Sequence, residues 1–160
     1  MKKTFGSTIF ALLLLVVLTS TTFAAPAMAE QEFILKGSFE ATETQQVVFP
    51  IAYVDATGVG NATHLGLFTY HLQAELYLPT LTASTSTTLI AANGDMIFGE
   101  GSGQGTPTGT PGIVSIVETY TITGGTGRFA SATGNFTVKR LINRATFASS
   151  GTLSGNIVIP

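Results

Sequence analysis

From residue 30 onward, apolar positions recur at every second residue rather than every third and fourth. Phe33, Leu35, Gly37, Phe39 and Ala41 fall on one face of a first extended run. Val47, Phe49, Ile51 and Tyr53 share a face of a second. Alternation of this kind, in short runs broken by Gly, Pro, Asn and Thr, predicts an all-β chain. "VDATGVGN", 54–61, reads as a turn-rich loop, and a long third run covers roughly Thr63 to Leu78, ended by Pro79.

A fourth and a fifth strand are joined through "AANGDMIF". Asn93-Gly94 is the signal for a two-residue type I′ hairpin, in which both central residues accept positive φ. That turn would set Ala92 opposite Asp95, Leu89 opposite Phe98 and Thr87 opposite Glu100. "GSGQGTPTGTPG", Gly101 to Gly112, contains no apolar anchor and reads as a mobile loop at one end of the fold. The sixth strand is Ile113 to Thr123, the seventh about Gly134 to Ile142, and the eighth Phe147 to Ile159. Eight sequential strands with short connections predict an antiparallel up-and-down barrel, which leaves no exposed sheet edge. A two-sheet β-sandwich is the alternative architecture. An eight-stranded barrel has an interior just wide enough for side chains or one small ligand.

"TGGTGRFASATG", Thr123 to Gly134, carries four of the 18 glycines. Gly125-Thr126-Gly127-Arg128-Phe129-Ala130 fits the G-x-G-x-x-[GA] nucleotide-loop pattern. That fingerprint also needs a helix after it and an acidic residue about twenty positions on. Here the chain returns to period two, and no acidic residue follows Glu118. The glycines therefore read as structural: Gly124, Gly125 and Gly127 supply positive φ and close backbone approach, with Phe129 plugging the barrel end.

Residues 1–29 read as a secretory leader. Lys2 and Lys3 precede a short apolar core, Ile9 to Leu18, and Ala27-Met28-Ala29 is a small-x-small cleavage site. The core is shorter than the ~20 residues that span a bilayer, and no second such run follows, so no membrane span is expected to be retained. Residues 30–160 then form a single β-barrel domain. Without Lys2 and Lys3 the net charge of −2 becomes −4, which disfavours a nucleic-acid partner. Export without any cysteine fits a bacterial periplasm or secretion.

"TITGGTGRFASATGNF" resembles the glycine-rich turn of dirigent proteins and plant allene oxide cyclases. Together with "ATHLGLFT", Ala62 to Thr69, and "AANGD", Ala91 to Asp95, in that order, it looks still more like a set of bacterial secreted proteins of the same barrel class. The resemblance spans most of residues 33 to 158. It implies an eight-stranded calycin-like barrel, and a homo-oligomer, since the plant relatives are often trimeric. The matching residues are structural ones. Plant cyclases carry a tyrosine near the position of Tyr120, but the spacing differs by one residue, which reverses its face on a strand.

Few side chains suit chemistry. His64 and His71, the only histidines, are separated by an odd number of positions and face opposite ways on one regular strand. No shared metal site follows, and no cofactor is implied. His64 reads as a structural partner near a strand kink at Gly66 or as a polar interior residue; His71 reads as a surface residue. The sixth and seventh strands carry more. Val114, Ile116, Glu118, Tyr120 and Ile122 share one apolar face, and Gly134, Phe136, Val138, Arg140 and Ile142 share another. Each face holds one charge, and isolated buried charges are very unfavourable, so Glu118 and Arg140 are expected to pair. A register with Gly124 against Gly134 puts Ile122 beside Phe136, Tyr120 beside Val138 and Glu118 beside Arg140. The pair reads as a structural ion pair or, with Tyr120, as a polar cluster that orients a ligand or transfers a proton. Two functions compete: a non-catalytic exported barrel binding a small apolar molecule, and a cofactor-free cyclase or isomerase. An interior filled by bulky side chains would leave a structural or assembly role.

Overall fold

The computed structural model describes residues 30–159, so the leader expected over 1–29 lies outside the described residues. Eight antiparallel strands close into an up-and-down barrel: β1 (Gln31–Val48), β2 (Ile51–Ala62), β3 (Gly66–Tyr77), β4 (Thr82–Ala91), β5 (Met96–Pro107), β6 (Ile113–Gly125), β7 (Thr133–Asn143) and β8 (Ala148–Ile159). β1 pairs with β2 along one side and β8 along the other, so every strand has two neighbours. The predicted barrel is thus the observed one, and the sandwich is not.

The alternation read from the sequence sets which residues enter the barrel. Leu35, Phe39 and Ala41 of β1 are buried, as are Tyr120 and Ile122 of β6 and Phe136, Val138 and Ile142 of β7. Two features close the barrel around these bulky residues. On β5 the inward positions after Ile97 are glycines, and a Cβ at Gly103 would lie 2.9 Å from Cγ of Glu118. On β8 a Cβ at Gly151 would lie 2.6 Å from Cβ of Arg140. Inward glycines on β5 and β8 thus make room for Glu118 of β6 and Arg140 of β7.

Several local expectations need correction. The first turn falls at Phe49-Pro50, after an 18-residue β1, so Val47, Phe49 and Tyr53 point to solvent. "VDATGVGN" is not a loop but part of β2, with Ala56 facing inward. Most of "GSGQGTPTGTPG" is strand as well: β5 continues to Pro107, leaving only 108–112 as loop. Absence of apolar anchors there reflects the need for small inward residues, not mobility. The Asn93-Gly94 turn is one residue longer than a type I′ hairpin. The Ala91 N–H donates to the Asp95 carbonyl, and only Gly94 takes positive φ, at 87°. The register therefore slips by one, pairing Leu89 with Ile97 and turning Phe98 outward.

Candidate functional site

The barrel's two ends differ. The β2–β3, β4–β5 and β6–β7 connections meet at one end, and the three sequence motifs meet there with them. Gly127–Phe129 forms a single 3-10 turn, with Gly127 at φ 55° and Gly124 at φ 136°. Gly125 has no room for a side chain: a Cβ would approach the Met96 carbonyl oxygen to 2.1 Å. The Arg128 guanidinium donates to the His64 carbonyl, and the Arg128 backbone N–H points at Asp95 from 3.4 Å. The Asn93 amide donates to the same Asp95 carboxylate at 2.7 Å. Phe129 is fully buried and plugs this end. No helix follows the glycines, so the nucleotide pattern lacks its anion-binding partner.

His64 is not an interior residue. It sits in the exposed β2–β3 turn at φ 63°, its ring 4.7 Å from that of Phe33. β3 starts only at Gly66 rather than at Thr63, and the turn before it places His64 outside the wall, at the end opposite the polar interior. His71 is exposed on β3, as expected.

Inward from the plugged end, Phe39 packs on Tyr70 and Tyr120 stacks on Phe136 at 4.9 Å. Beyond these rings, toward the other end, lies a buried charged cluster. Arg140 on β7 donates from Nε to Glu118 Oε2 at 3.1 Å and from Nη2 to Glu118 Oε1 at 3.0 Å. Its Nη1 donates to Glu43 Oε1 of β1, over the inner face of the intervening β8. The pairing of Glu118 with Arg140 occurs in a register shifted by two from the expected one. Tyr120 pairs with Phe136, Glu118 with Val138 and Ile116 with Arg140. The β6–β7 connection is longer than a hairpin turn, and Gly124 pairs with Phe98 of β5 instead. A shift of two preserves faces, and the long arginine reaches its diagonal neighbour.

Burial opposes the Arg140 charge, but Glu118 and Glu43 outweigh it and hold the guanidinium above its ordinary pKa. Tyr70 and Tyr120 are pushed well above the usual phenol value, first by burial and then by the Glu118 charge. Their hydroxyls lie near each other, and that of Tyr120 lies near Thr85. Yet Tyr70, Thr85, Tyr120 and Ser149 all bury a side-chain oxygen without a hydrogen bond of proper geometry. Sequence reasoning reached Glu118, Arg140 and Tyr120 but missed Glu43, Tyr70, Thr85 and Ser149. For Glu43 the signal was present: the alternation of Phe39 and Ala41, carried on by two residues, points it inward.

The cluster floors a cavity of about 50 Å³ at the unplugged end. Above Glu43, Glu118 and Arg140 its wall is apolar, formed by residues such as Val54, Leu76, Leu81, Val114 and Ile142, with Gln45 and Arg144 near the rim. Larger depressions occur on the outer wall, including one of about 860 Å³ beside Tyr53, Asp55, Gln73 and Glu75. These are open grooves among outward side chains. The small cavity is the one that joins an enclosed wall to buried polar groups, the usual character of a ligand site. Among the described residues no cluster of His, Cys, Asp and Glu could hold a metal ion.

No protein-family model matches the chain, and no curated protein sequence does. Among solved structures it is similar to the pterocarpan synthase dirigent protein, with 14% identity and a TM-score of 0.56. The match covers 85% of this chain and 89% of that one. At that identity the likeness concerns the fold: the chain has a dirigent-like barrel.

Proposed function

We propose that this is an exported small-molecule-binding barrel, non-catalytic, whose ligand enters at the unplugged end. The observation that carries the reading is the mouth cavity, with apolar walls and a buried charged floor. The plugged half is filled by aromatic rings, so an apolar ligand does not lie deep in the barrel; it rests in the mouth. Leu81, at the rim, is held at φ 56°, a conformation unusual for a branched side chain and more often kept where a site needs it. The outer wall carries Lys36, Glu40, Asp55, Glu75, Glu100 and Lys139, all exposed, while the interior is mainly apolar. That is the arrangement of a barrel standing in water; lipid-embedded barrels have it reversed. The leader expected over 1–29 and the resemblance to bacterial secreted barrels support export to a periplasm or medium, with which a chain without cysteine is compatible.

Mass spectrometry of small molecules carried by the purified native protein tests the binding reading. A compound that co-purifies in stoichiometric amount supports it. An empty barrel that takes up no compound from a library would leave the structural or assembly role. N-terminal sequencing tests export: the mature chain should begin at Glu30, and retention of Lys2 or Lys3 would overturn it.

A second reading is favoured by the two buried phenols beside Glu118. A cofactor-free cyclase or isomerase would use such groups, shielded from water, to orient a substrate and move a proton. Turnover of a compound that co-purifies, abolished by Glu118→Gln, would favour this reading over simple binding. Self-association to a trimer, as the family resemblance implies, is tested by sedimentation.

A further inference from the structure

We infer that the ligand held at the mouth is an amine, with a compact ammonium head against Glu43 and an apolar body along Leu76, Leu81, Val114 and Ile142. This rests on the binding-barrel reading and narrows it to a chemical class. Two carboxylates, Glu43 and Glu118, share one guanidinium, so the buried cluster carries a formal excess of one negative charge. A buried excess charge is very unfavourable and is neutralised either by a proton or by a cation; an ammonium is the cation that this cavity can take.

The hydrogen bonds agree. Arg140 commits three of its five N–H donors, from Nε and Nη2 to Glu118 and from Nη1 to Glu43, and two carboxylates already share its charge, so an incoming carboxylate or phosphate would add to a net negative cluster. Glu43 gives Oε1 to Arg140, whereas its Oε2 makes no side-chain hydrogen bond among the described residues and is not sealed off, so it is open to the cavity that Glu43 lines. An ammonium supplies three donors and a full positive charge to that oxygen. A bare divalent ion fits less well, since calcium and magnesium require six or more oxygens in close array. Water fills lone pairs but leaves the charge uncompensated.

Size and wall chemistry select the rest of the molecule. The cavity, about 50 Å³, has room for a few waters or for an ammonium and its first carbons. Beyond that depth the wall is apolar, which favours an alkyl or aryl body over a second polar group. Arg144 is the one other charge lining the cavity; it is exposed, and solvent screens it more than the buried carboxylates.

Three probes of matched length test the inference by calorimetry on the purified native protein: hexylamine, hexanol and hexanoate. Hexylamine should bind at least about tenfold tighter than hexanol, and hexanoate weakest of all. In Glu43→Gln the preference for amine over alcohol should fall to near unity, with hexanol affinity changed by no more than about twofold. If that variant does not fold, carboxyl-carbon NMR of Glu43 in the native protein serves instead, shifting with hexylamine and not with hexanol. Equal or tighter binding of hexanol or hexanoate overturns the amine class while leaving the binding barrel intact. Binding of none of the three overturns the inference too, and the co-purification experiment then judges the binding reading separately. Amine binding that is unchanged in Glu43→Gln overturns the assignment to this carboxylate.

Discussion

Arg140 stands between Glu118 and Glu43, and the three side chains do not contribute symmetrically. Arg140→Met strands two buried carboxylates and should destabilise the barrel by roughly 3–5 kcal/mol. Glu118→Gln leaves the guanidinium paired with Glu43 and should lose less, about 1–3 kcal/mol. The triple variant Glu43→Gln, Glu118→Gln, Arg140→Met should be more stable than Arg140→Met alone, because no charge remains stranded. Denaturant melts decide it; an Arg140→Met loss no larger than that of Glu118→Gln would mean the cluster is not shut off from water. The phenols make a second prediction. Tyr70 and Tyr120 are raised above the ordinary value near pH 10, by burial first and Glu118 second. With the folded pKa above the unfolded one, their contribution is complete below about pH 10 and is lost as pH rises beyond it. Tyr70→Phe and Tyr120→Phe should flatten that alkaline decline. Since neither hydroxyl has a partner, each change should leave stability at neutral pH level or slightly higher. A loss of more than about 1 kcal/mol would show that the hydroxyl bonds a water or a ligand.

Among the elements, the turns separate what was readable from what was not. Faces were readable: period two put Glu118, Tyr120 and Arg140 inside, and they are inside. Registers were not, because alternation fixes a face but allows any shift of two, and the extra residue at Asn93-Gly94 slips even that. Glycine misled most. In β5 it serves as the smallest inward residue beside Glu118, a role set by the neighbouring strand and invisible in its own run. For His64 the local signal was right in kind: "THLG" marked a bend, which is the β2–β3 turn where the His64 carbonyl accepts from Arg128, and only the interior alternative fails. The two turn glycines give a direct comparison. Gly94, at φ 87°, has nothing within 4 Å of a Cβ, whereas a Cβ at Gly127, at φ 55°, would lie 1.8 Å from Asp95 Oδ1. Gly94→Ala should therefore lose about 1 kcal/mol from strain alone. Gly127→Ala adds displacement of Asp95 from Arg128 and Asn93, for about 2 kcal/mol or more in all. Equal melting shifts for the two variants would show that Asp95 yields freely and that the motif contact contributes little.

At the scale of the whole molecule, closure is the property from which the rest follows. In an open sandwich the first and last strands are edges, whose outer amides exchange with solvent through local fraying. Here β1 is bonded to β2 from Gly37 to Val48 and to β8 from Gln31 to Thr42. The terminal strands thus hold the wall together along its seam. They also carry the cluster, for Glu43 lies on β1 just beyond the segment paired with β8, and Gly151 of β8 packs beneath Arg140. Opening the seam would let water reach the buried ion pairs, so local release of β1 or β8 should be as unfavourable as opening the wall elsewhere. Native-state hydrogen exchange tests this. The amides of Phe39 and Leu153, whose side chains face inward, should be protected to the same free energy as those of Tyr120 and Val138, and should respond equally to denaturant. Protection that is markedly weaker in β1 and β8 would mean that the barrel opens at its seam in solution. Ligand entry would then need no passage through the mouth, and the filled half of the interior would become reachable as well.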